Sequence, residues 1–205
     1  MKAIYSEEEA LQRDKESKQR HYLRNREEII KRAGVRKKAQ RERNRLFIIE
    51  YKKSHHCKCG ESRFYCLDFH HKDPSTKDRC IKTMSQAPVS FKKLKEEIGK
   101  CIIVCSNCHK KLHFPSRDRE WHSVDKRKND ARLFVWERKK DSVCRCGEDH
   151  PSCLDFHHEK GDKEKNVSKL AKDGYALKTI QAEIDKCVVV CSNCHREIHN
   201  GELSL

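Results

Sequence analysis

An internal repeat of cysteine and histidine motifs is the feature that most limits what this chain can fold into. The segment Cys57–Glu61 (CKCGE) recurs at Cys144–Glu148 (CRCGE), and CLDFHH recurs from 66–71 to 153–158, both at an offset of 87 residues. The segment 100–109 recurs at 186–195 with an offset of 86, so the second copy is one residue shorter. Repetition of whole motifs in the same order predicts two similar modules.

Composition indicates that these modules are small and need a metal. Hydrophobic residues make up 35% of the 205-residue chain and charged residues 39%, which is too little apolar material for one large core. Twelve of the thirteen cysteines fall within the repeat, six in each copy, and Cys80 alone has no counterpart. The N-terminus has no apolar signal region and no segment approaches the ~20 apolar residues of a membrane span, so we expect an intracellular, cytoplasmic protein without membrane contact. In that reducing compartment closely spaced cysteines bind metal more often than they form disulfides.

The cysteine spacing predicts one structural zinc ion in each module. Two Cys-x-x-Cys pairs, Cys105 with Cys108 and Cys191 with Cys194, let two thiolates reach one ion from a tight turn. Tetrahedral zinc needs two more ligands, and the Cys-x-Cys motifs, each followed by glycine, are the favoured suppliers. These are Cys57 and Cys59 in the first copy, and Cys144 and Cys146 in the second. Another cysteine could instead supply a ligand in each copy. The alternatives are Cys66 or Cys101 in the first copy, and Cys153 or Cys187 in the second.

The pattern predicts an α+β fold in which basic helices precede and connect the two zinc-stabilised modules. Ser6 and Glu9 form a capping-box signature for a helix that continues to about Lys53, with a break at Gly34. Strands are expected at 66–71 and 101–104 and at their counterparts 153–158 and 187–190. Each second strand leads through its Cys-x-x-Cys pair into a short helix. The predicted domains are a basic helical arm at 1–40, module 1 at 41–114, a linker at 115–127 and module 2 at 128–205.

Net charge points to nucleic acid as the partner. The chain carries a formal charge of +15, and residues 1–53 contain seventeen Lys and Arg against nine Asp and Glu. Such an excess favours contact with phosphates, with little sequence preference. We expect the DNA contacts at the end of the arm and the start of module 1, from Arg36, Lys37, Lys38, Arg41, Arg43 and Arg45.

Four histidines per copy follow a second pattern. His109 and His113 are four residues apart on the predicted helix, so both rings project from one face, and a His-His doublet ends the first strand. Three imidazoles can bind one divalent ion and leave coordination positions open, while a fourth can stay unligated as a general base. Asp68 and Asp155 alternate onto the same face as the first histidine of each doublet. They are either partners that orient a histidine, further ligands or solvated strand residues, and we leave them out of the metal set.

At these residues the chain resembles the HNH endonucleases, whose active site is a ββα-metal motif. The resemblance rests on 67–74 (LDFHHKDP) and on 100–113 (KCIIVCSNCHKKLH), with matching segments at 154–158 and 186–199, and it is strongest to the phage-associated subgroup with zinc-bound knuckles. It implies two tandem modules in which one histidine of each doublet, His71 or His158, is the general base that activates water. It further implies that the remaining three hold a catalytic divalent ion in each module: His70, His109 and His113, and His157, His195 and His199.

The resemblance implies hydrolysis of DNA phosphodiester bonds, by nicking or by double-strand cleavage. The catalytic ion stays undecided among Mg, Mn, Ni and Zn, and no obligate protein partner is evident. The middle Asn that names the family has no clear equivalent: Lys100 and Lys186 lie near its place, and Asn107 and Asn193 are expected to shape the knuckle turns. The alternative is a non-catalytic zinc-ribbon protein that binds nucleic acid. A variant of the first hypothesis keeps one copy active and uses the other for docking.

Overall fold

The computed structural model describes residues 6–114, 125–159 and 163–203. It has an α+β fold with two separate two-stranded antiparallel sheets, as the sequence predicts. By internal contacts the chain divides into two compact units, one of Met1–Ile48 with Lys77–Ile98 and the other of Ile49–Thr76 with Gly99–Leu205. The predicted domain boundaries stay a prediction, and residues 115–124 of the predicted linker lie outside the described part.

One long helix, α1 (Glu7–Lys53), forms the N-terminal part of the chain. The predicted capping box is present: the backbone N–H of Ser6 donates to the Glu9 carboxylate (2.9 Å), and the Glu9 N–H donates to Ser6 Oγ (3.3 Å). The predicted break at Gly34 is wrong, since α1 continues through it. One glycine costs a helix about 1 kcal/mol, and the strong helix formers around it, with pairs such as Arg32 with Glu28 (2.7 Å), outweigh that cost.

The first unit contains most of α1 together with two short helices, α2 (Ile81–Gln86) and α3 (Phe91–Gly99). Asn44 on α1 is fully buried, and its side-chain amide donates to the carbonyl of Val89 (2.9 Å). Phe47 meets Phe91 edge to face, with ring centroids 4.9 Å apart. The buried apolar side chains of α2 and α3 follow helical spacing: Ile81, Met84, Leu94 and Ile98.

The second unit holds both sheets. Strand β1 (Leu67–His71) pairs with β2 (Cys101–Cys105), and β3 (Leu154–His158) pairs with β4 (Cys187–Cys191). The register is the same in both: the leucine that opens the first strand faces the first cysteine of the knuckle, and the second histidine of the doublet faces Cys101 or Cys187. A short helix follows each second strand, α4 (Ser106–His113) and α8 (Ser192–His199), and both carry their predicted histidines.

The remaining helices of this unit pack beside the second sheet. Helices α5 (Lys126–Lys140), α6 (Val167–Asp173) and α7 (Leu177–Ile184) share a small core. Its buried members are Ala131, Val135, Val167, Leu170, Ala171 and Ile180. Within the described part of the chain, none of the helices combines the length and the apolar character that a bilayer crossing requires.

The two copies of the strand-strand-helix motif contact each other inside this unit, and their contacts are reciprocal. The backbone N–H of Asn107 donates to Asn193 Oδ1 (3.3 Å), and the N–H of Asn193 donates to Asn107 Oδ1 (3.2 Å). Their side-chain amides reach Glu148 and Glu61, each in the opposite copy. Contacts in which each residue meets its own counterpart define a pseudo-twofold arrangement. These asparagines lie in the first turns of α4 and α8, beside the knuckle cysteines, and their side chains also join the copies.

Candidate metal centres

Each cysteine cluster is assembled from two knuckles. The first is a tight turn in which the Gly60 N–H donates to the Cys57 carbonyl (2.9 Å), with Gly60 in the left-handed region (φ 92°). The second knuckle begins α4: Cys105 is its N-cap residue, and Cys105 Sγ accepts from the N–H of Cys108 (3.4 Å). In the second copy Gly147 (φ 89°) and the Cys191 cap repeat both features. The local backbone thus points all four sulfurs of a copy toward one place.

The sulfur positions fit a tetrahedral zinc ion. All four Sγ atoms of Cys57, Cys59, Cys105 and Cys108 lie within 4.8 Å of one another, as do those of Cys144, Cys146, Cys191 and Cys194. The Sγ–Sγ distance from Cys59 to Cys105 is 3.7 Å, and from Cys146 to Cys191 it is 3.6 Å. Zinc–sulfur bonds of about 2.3 Å in a tetrahedron place neighbouring sulfurs about 3.8 Å apart. The favoured cysteine sets are therefore brought together and can hold such an ion.

The pKa values of the clustered thiols also indicate that a cation is needed for all of them to ionise. Burial, together with the neighbouring thiols, raises the pKa of Cys108 and of Cys194. Burial also raises the pKa of Cys57, but hydrogen bonds from the backbone at Cys59 and Cys105 and from nearby thiols outweigh it, so its net pKa is lowered. Four sulfurs this close cannot all ionise unless a positive ion compensates their charge.

The alternative cysteines take no part in the clusters. Cys66 and Cys153 are fully buried, and their thiols donate across the copies to the carbonyls of Asn193 and Asn107, both at 3.4 Å. Burial raises the pKa of Cys66 to about 12 and that of Cys153 to about 11, so both stay protonated. Cys187, at the far end of its strand, donates to the Glu183 carbonyl (3.2 Å).

The histidine groups assemble on the faces of α4 and α8. His70, His109 and His113 bring one nitrogen each within 4.8 Å of one another, and His157, His195 and His199 do the same. The Nε2 atoms of the two helical histidines are 3.2 Å apart in the first group and 3.1 Å apart in the second. Nitrogens bound to one ion at about 2.0–2.1 Å lie roughly 3 Å apart, so both triads fit a divalent ion.

Solvent reaches both triads, while two of the four cysteines in the first sulfur cluster, Cys57 and Cys105, are buried. The side chain of His109 is 27% exposed, as is that of His195, and His113 and His199 are exposed to solvent. Burial and the neighbouring imidazoles lower the pKa of His70, and burial with its own neighbours lowers that of His157. Neutral imidazole is the form that binds metal.

Asp68 and Asp155 lie behind the triads. Asp68 Oδ2 is 3.5 Å from Nδ1 of His109, and Asp155 Oδ2 is 3.7 Å from Nδ1 of His195. Burial works against ionisation of Asp68, but His109 and Arg196 outweigh it and lower its pKa to about 2. A carboxylate at Nδ1 directs Nε2 toward the triad, as carboxylates do for metal-bound histidines. Of the three interpretations, the orienting partner fits these contacts.

The second histidine of each doublet lies apart from the triad. His158 Nε2 is 2.8 Å from Glu183 Oε1, and the two side chains are 8% and 4% exposed. Glu183 also accepts from the backbone N–H groups of Glu164 and Lys165 and from Lys186. Glu97, the counterpart of Glu183 in the sequence repeat, is buried and accepts from the N–H of Asp78 (3.0 Å).

Sequence reasoning missed these two glutamates, although a signal was present. Each stands one residue before an apolar helix position, at Ile98 and at Ile184, and they match at an offset of 86. A glutamate that recurs in both copies on the apolar face of a helix is expected to be buried and to bind another buried polar group. Lys186, which the sequence places near the missing Asn, pairs instead with Glu183 (3.0 Å) and Glu164.

The six basic residues predicted to contact DNA lie on α1 and are all exposed. Two of them have partners of their own: Arg45 pairs with Glu42 (2.8 Å), and the Arg43 guanidinium lies 5.0 Å from the ring centre of Phe91. Their role toward DNA stays a prediction.

Comparisons with protein-family models, with curated proteins and with solved structures find no match to this chain.

Proposed function

We propose that this chain is a metal-dependent DNA endonuclease of the HNH type, with one reactive divalent ion in each copy. The observation that carries the proposal is the open three-histidine group, which stands beside a closed four-cysteine cluster in both copies. A closed four-ligand site is typical of structural metal, while three protein ligands with free positions are typical of catalytic metal. A protein that only binds nucleic acid has no need of the second kind of site.

The proposed chemistry divides between the ion and the second histidine of the doublet. A divalent ion held by the triad would act as a Lewis acid and stabilise the negative charge of the reacting phosphate. Because Glu183 accepts from the Nε2–H of His158, the lone pair of that ring is at Nδ1. Nδ1 then takes a proton from water, the oxygen attacks phosphorus, and the bond to the leaving oxygen of the DNA strand breaks. His71 takes the same role in the first copy.

Two further features support DNA as the substrate. Six exposed basic residues on α1 give the chain a positive stretch that suits phosphate contacts with little sequence preference. The reciprocal contacts between the copies relate the two triads by a pseudo-twofold, and the two strands of duplex DNA are related in the same way. We therefore assign one strand to each centre.

One observation favours the second candidate, a non-catalytic zinc protein that binds nucleic acid. The side chain of His158 is only 8% exposed, and such burial suits a histidine that stabilises the fold. The two functions differ in whether the doublet histidines are needed for bond cleavage.

Cleavage of supercoiled plasmid separates the two functions. The protein is assayed with Mg²⁺, Mn²⁺, Ni²⁺ or Zn²⁺ and with a chelator, alongside His71→Ala, His158→Ala and the double variant. We expect nicked and linear product from the parent, mainly nicked product from each single variant, and no cleavage from the double variant. His21→Ala, on the exposed face of α1, is the matched control and should cut like the parent.

Two results would contradict the endonuclease. Full cleavage by the double variant would remove the doublet histidines from the reaction. Absence of cleavage with every ion, in a protein that still binds DNA, would favour the non-catalytic function instead.

A further inference from the structure

Each triad contacts a carboxylate that is held by a cation from the other copy. The Arg196 guanidinium, on α8 of the second copy, donates to both oxygens of Asp68 in the first copy (3.0 and 2.9 Å). Lys110 Nζ, on α4 of the first copy, lies 3.0 and 2.9 Å from the two oxygens of Asp155 in the second copy. Arg196 and Lys110 occupy matching positions in the repeat, each directly after a triad histidine.

We infer that Arg196 and Lys110 are positioning residues for the metal centre of the opposite copy, so that neither triad is complete without the other module. The inference rests on the proposed metal-binding role of the triads. In addition, the metal affinity of each triad depends on a residue of the other copy.

The contacts favour this role over a simple surface ion pair. The side chains of Asp68 and Arg196 are 24% and 37% exposed, so water only partly screens the pair. Arg196 is held further by a bond from Nη1 to the carbonyl of Tyr65 (3.2 Å). A two-point contact with the guanidinium fixes the orientation of the Asp68 carboxylate, whose Oδ2 lies 3.5 Å from Nδ1 of His109.

The inference is tested by measuring the metal affinity of one triad in a protein whose other triad has been removed by mutation. His157→Ala with His199→Ala removes the second triad and leaves Arg196 in place. Zinc-loaded protein of this background is titrated with Ni²⁺ by calorimetry, so that only the first triad binds. We expect Asp68→Ala to weaken Ni²⁺ binding about 10- to 100-fold, the usual cost of losing the outer partner of a metal-bound histidine, and Arg196→Ala to weaken it by a smaller factor.

Three companion variants make the result specific. Arg196→Lys should keep most of the affinity, because the first copy uses Lys110 at the matching position. Glu197→Gln breaks a neighbouring contact between the copies, to Arg63 (2.5 Å), and should leave Ni²⁺ affinity unchanged. Asp68→Ala should weaken binding, and adding Arg196→Ala to it should weaken binding no further, because Arg196 acts only through Asp68.

The mirror experiment uses the second triad. In a His70→Ala, His113→Ala background, Lys110→Ala should weaken Ni²⁺ binding. Lys111→Ala, which breaks only the pair with Glu148 across the copies (2.8 Å), should not.

The inference is overturned if Arg196→Ala binds Ni²⁺ like its background, if Glu197→Gln weakens binding equally, or if the losses from Asp68→Ala and Arg196→Ala add. It is also overturned if the triads bind no Ni²⁺ at all. If only the proposed endonuclease function is wrong, the result differs: the Ni²⁺ affinities change as expected, while the plasmid stays intact.

Discussion

The cysteine cluster and the histidine triad of one copy are two different donor sets on the same small scaffold, and each could hold a metal ion. Cys57 and Cys105 are each 1% exposed and lie in a cluster with Leu67 and Val104, whereas His113 is exposed to solvent. Four sulfur donors can close the coordination shell of a zinc ion, whereas three imidazoles can hold an ion and leave coordination positions open. The number of donors therefore distinguishes a set that can enclose an ion from a set that leaves it open.

The largest expected effect comes from the closed site. Replacing Cys108 with Ser should remove one bound zinc ion and unfold the first strand-strand-helix motif, because a two-stranded sheet is only marginally stable without such support. Metal analysis and thermal unfolding measure both changes. Cys80→Ser is the control, since Cys80 is an exposed cysteine outside both clusters, and it should keep the zinc content and the melting temperature. A stable Cys108→Ser protein with full zinc would remove that residue from the ligand set.

The open site should behave in the opposite way. His113→Ala should leave the zinc content and the melting temperature close to those of the parent, because the side chain is exposed. Cleavage by the first copy should fall by at least about 100-fold, since several kcal/mol of charge stabilisation go with the ion and each 1.36 kcal/mol is tenfold in rate. Plasmid assays in a His158→Ala background measure the first copy alone. Loss of structural zinc from His113→Ala would break the distinction between the two sites.

The smallest effect concerns Glu183, the buried partner of His158. Neither residue belongs to a cysteine cluster or a histidine triad. Burial works against ionisation of Glu183, but Lys186, His158 and two backbone N–H groups outweigh it and lower its pKa to about 2 from the usual 4.5. A lowered pKa in the folded state stabilises the protein above the unfolded value, and this contribution is lost as the pH falls from about 4.5 toward 2.

Glu183→Gln should therefore melt a few degrees below the parent at pH 7, with a smaller difference at pH 3. Thermal unfolding across this range, with the parent measured beside the variant, isolates the contribution of Glu183 from acid effects on the cysteines. A constant difference at every pH would mean that the Glu183 charge does not stabilise the fold.

The repeat allowed much of this arrangement to be predicted. Motif spacing predicted the strands of both sheets, the four cysteine knuckles and the helical histidine pairs, because these features depend on residues close in sequence. The predicted helix break at Gly34 is wrong because the stability of a helix depends on the propensities of many residues together and not on one glycine.

Contacts between distant segments could not be predicted in the same way. The link between His158 and Glu183 joins a strand to a helix 25 residues later, and the reciprocal bonds of Asn107 and Asn193 join the two copies. Such partners depend on how the elements pack, and single-sequence patterns carry no information on that packing.

The meeting of Asn107 with its own counterpart has a consequence for assembly. A lone copy would have to find a second molecule to make the same bonds, so its pairing would weaken on dilution. Joining the copies by peptide raises their local concentration to the millimolar range, as short tethers do, and makes the pairing independent of how much protein is present. The covalent connection thus gives this chain a dimer's geometry at any abundance.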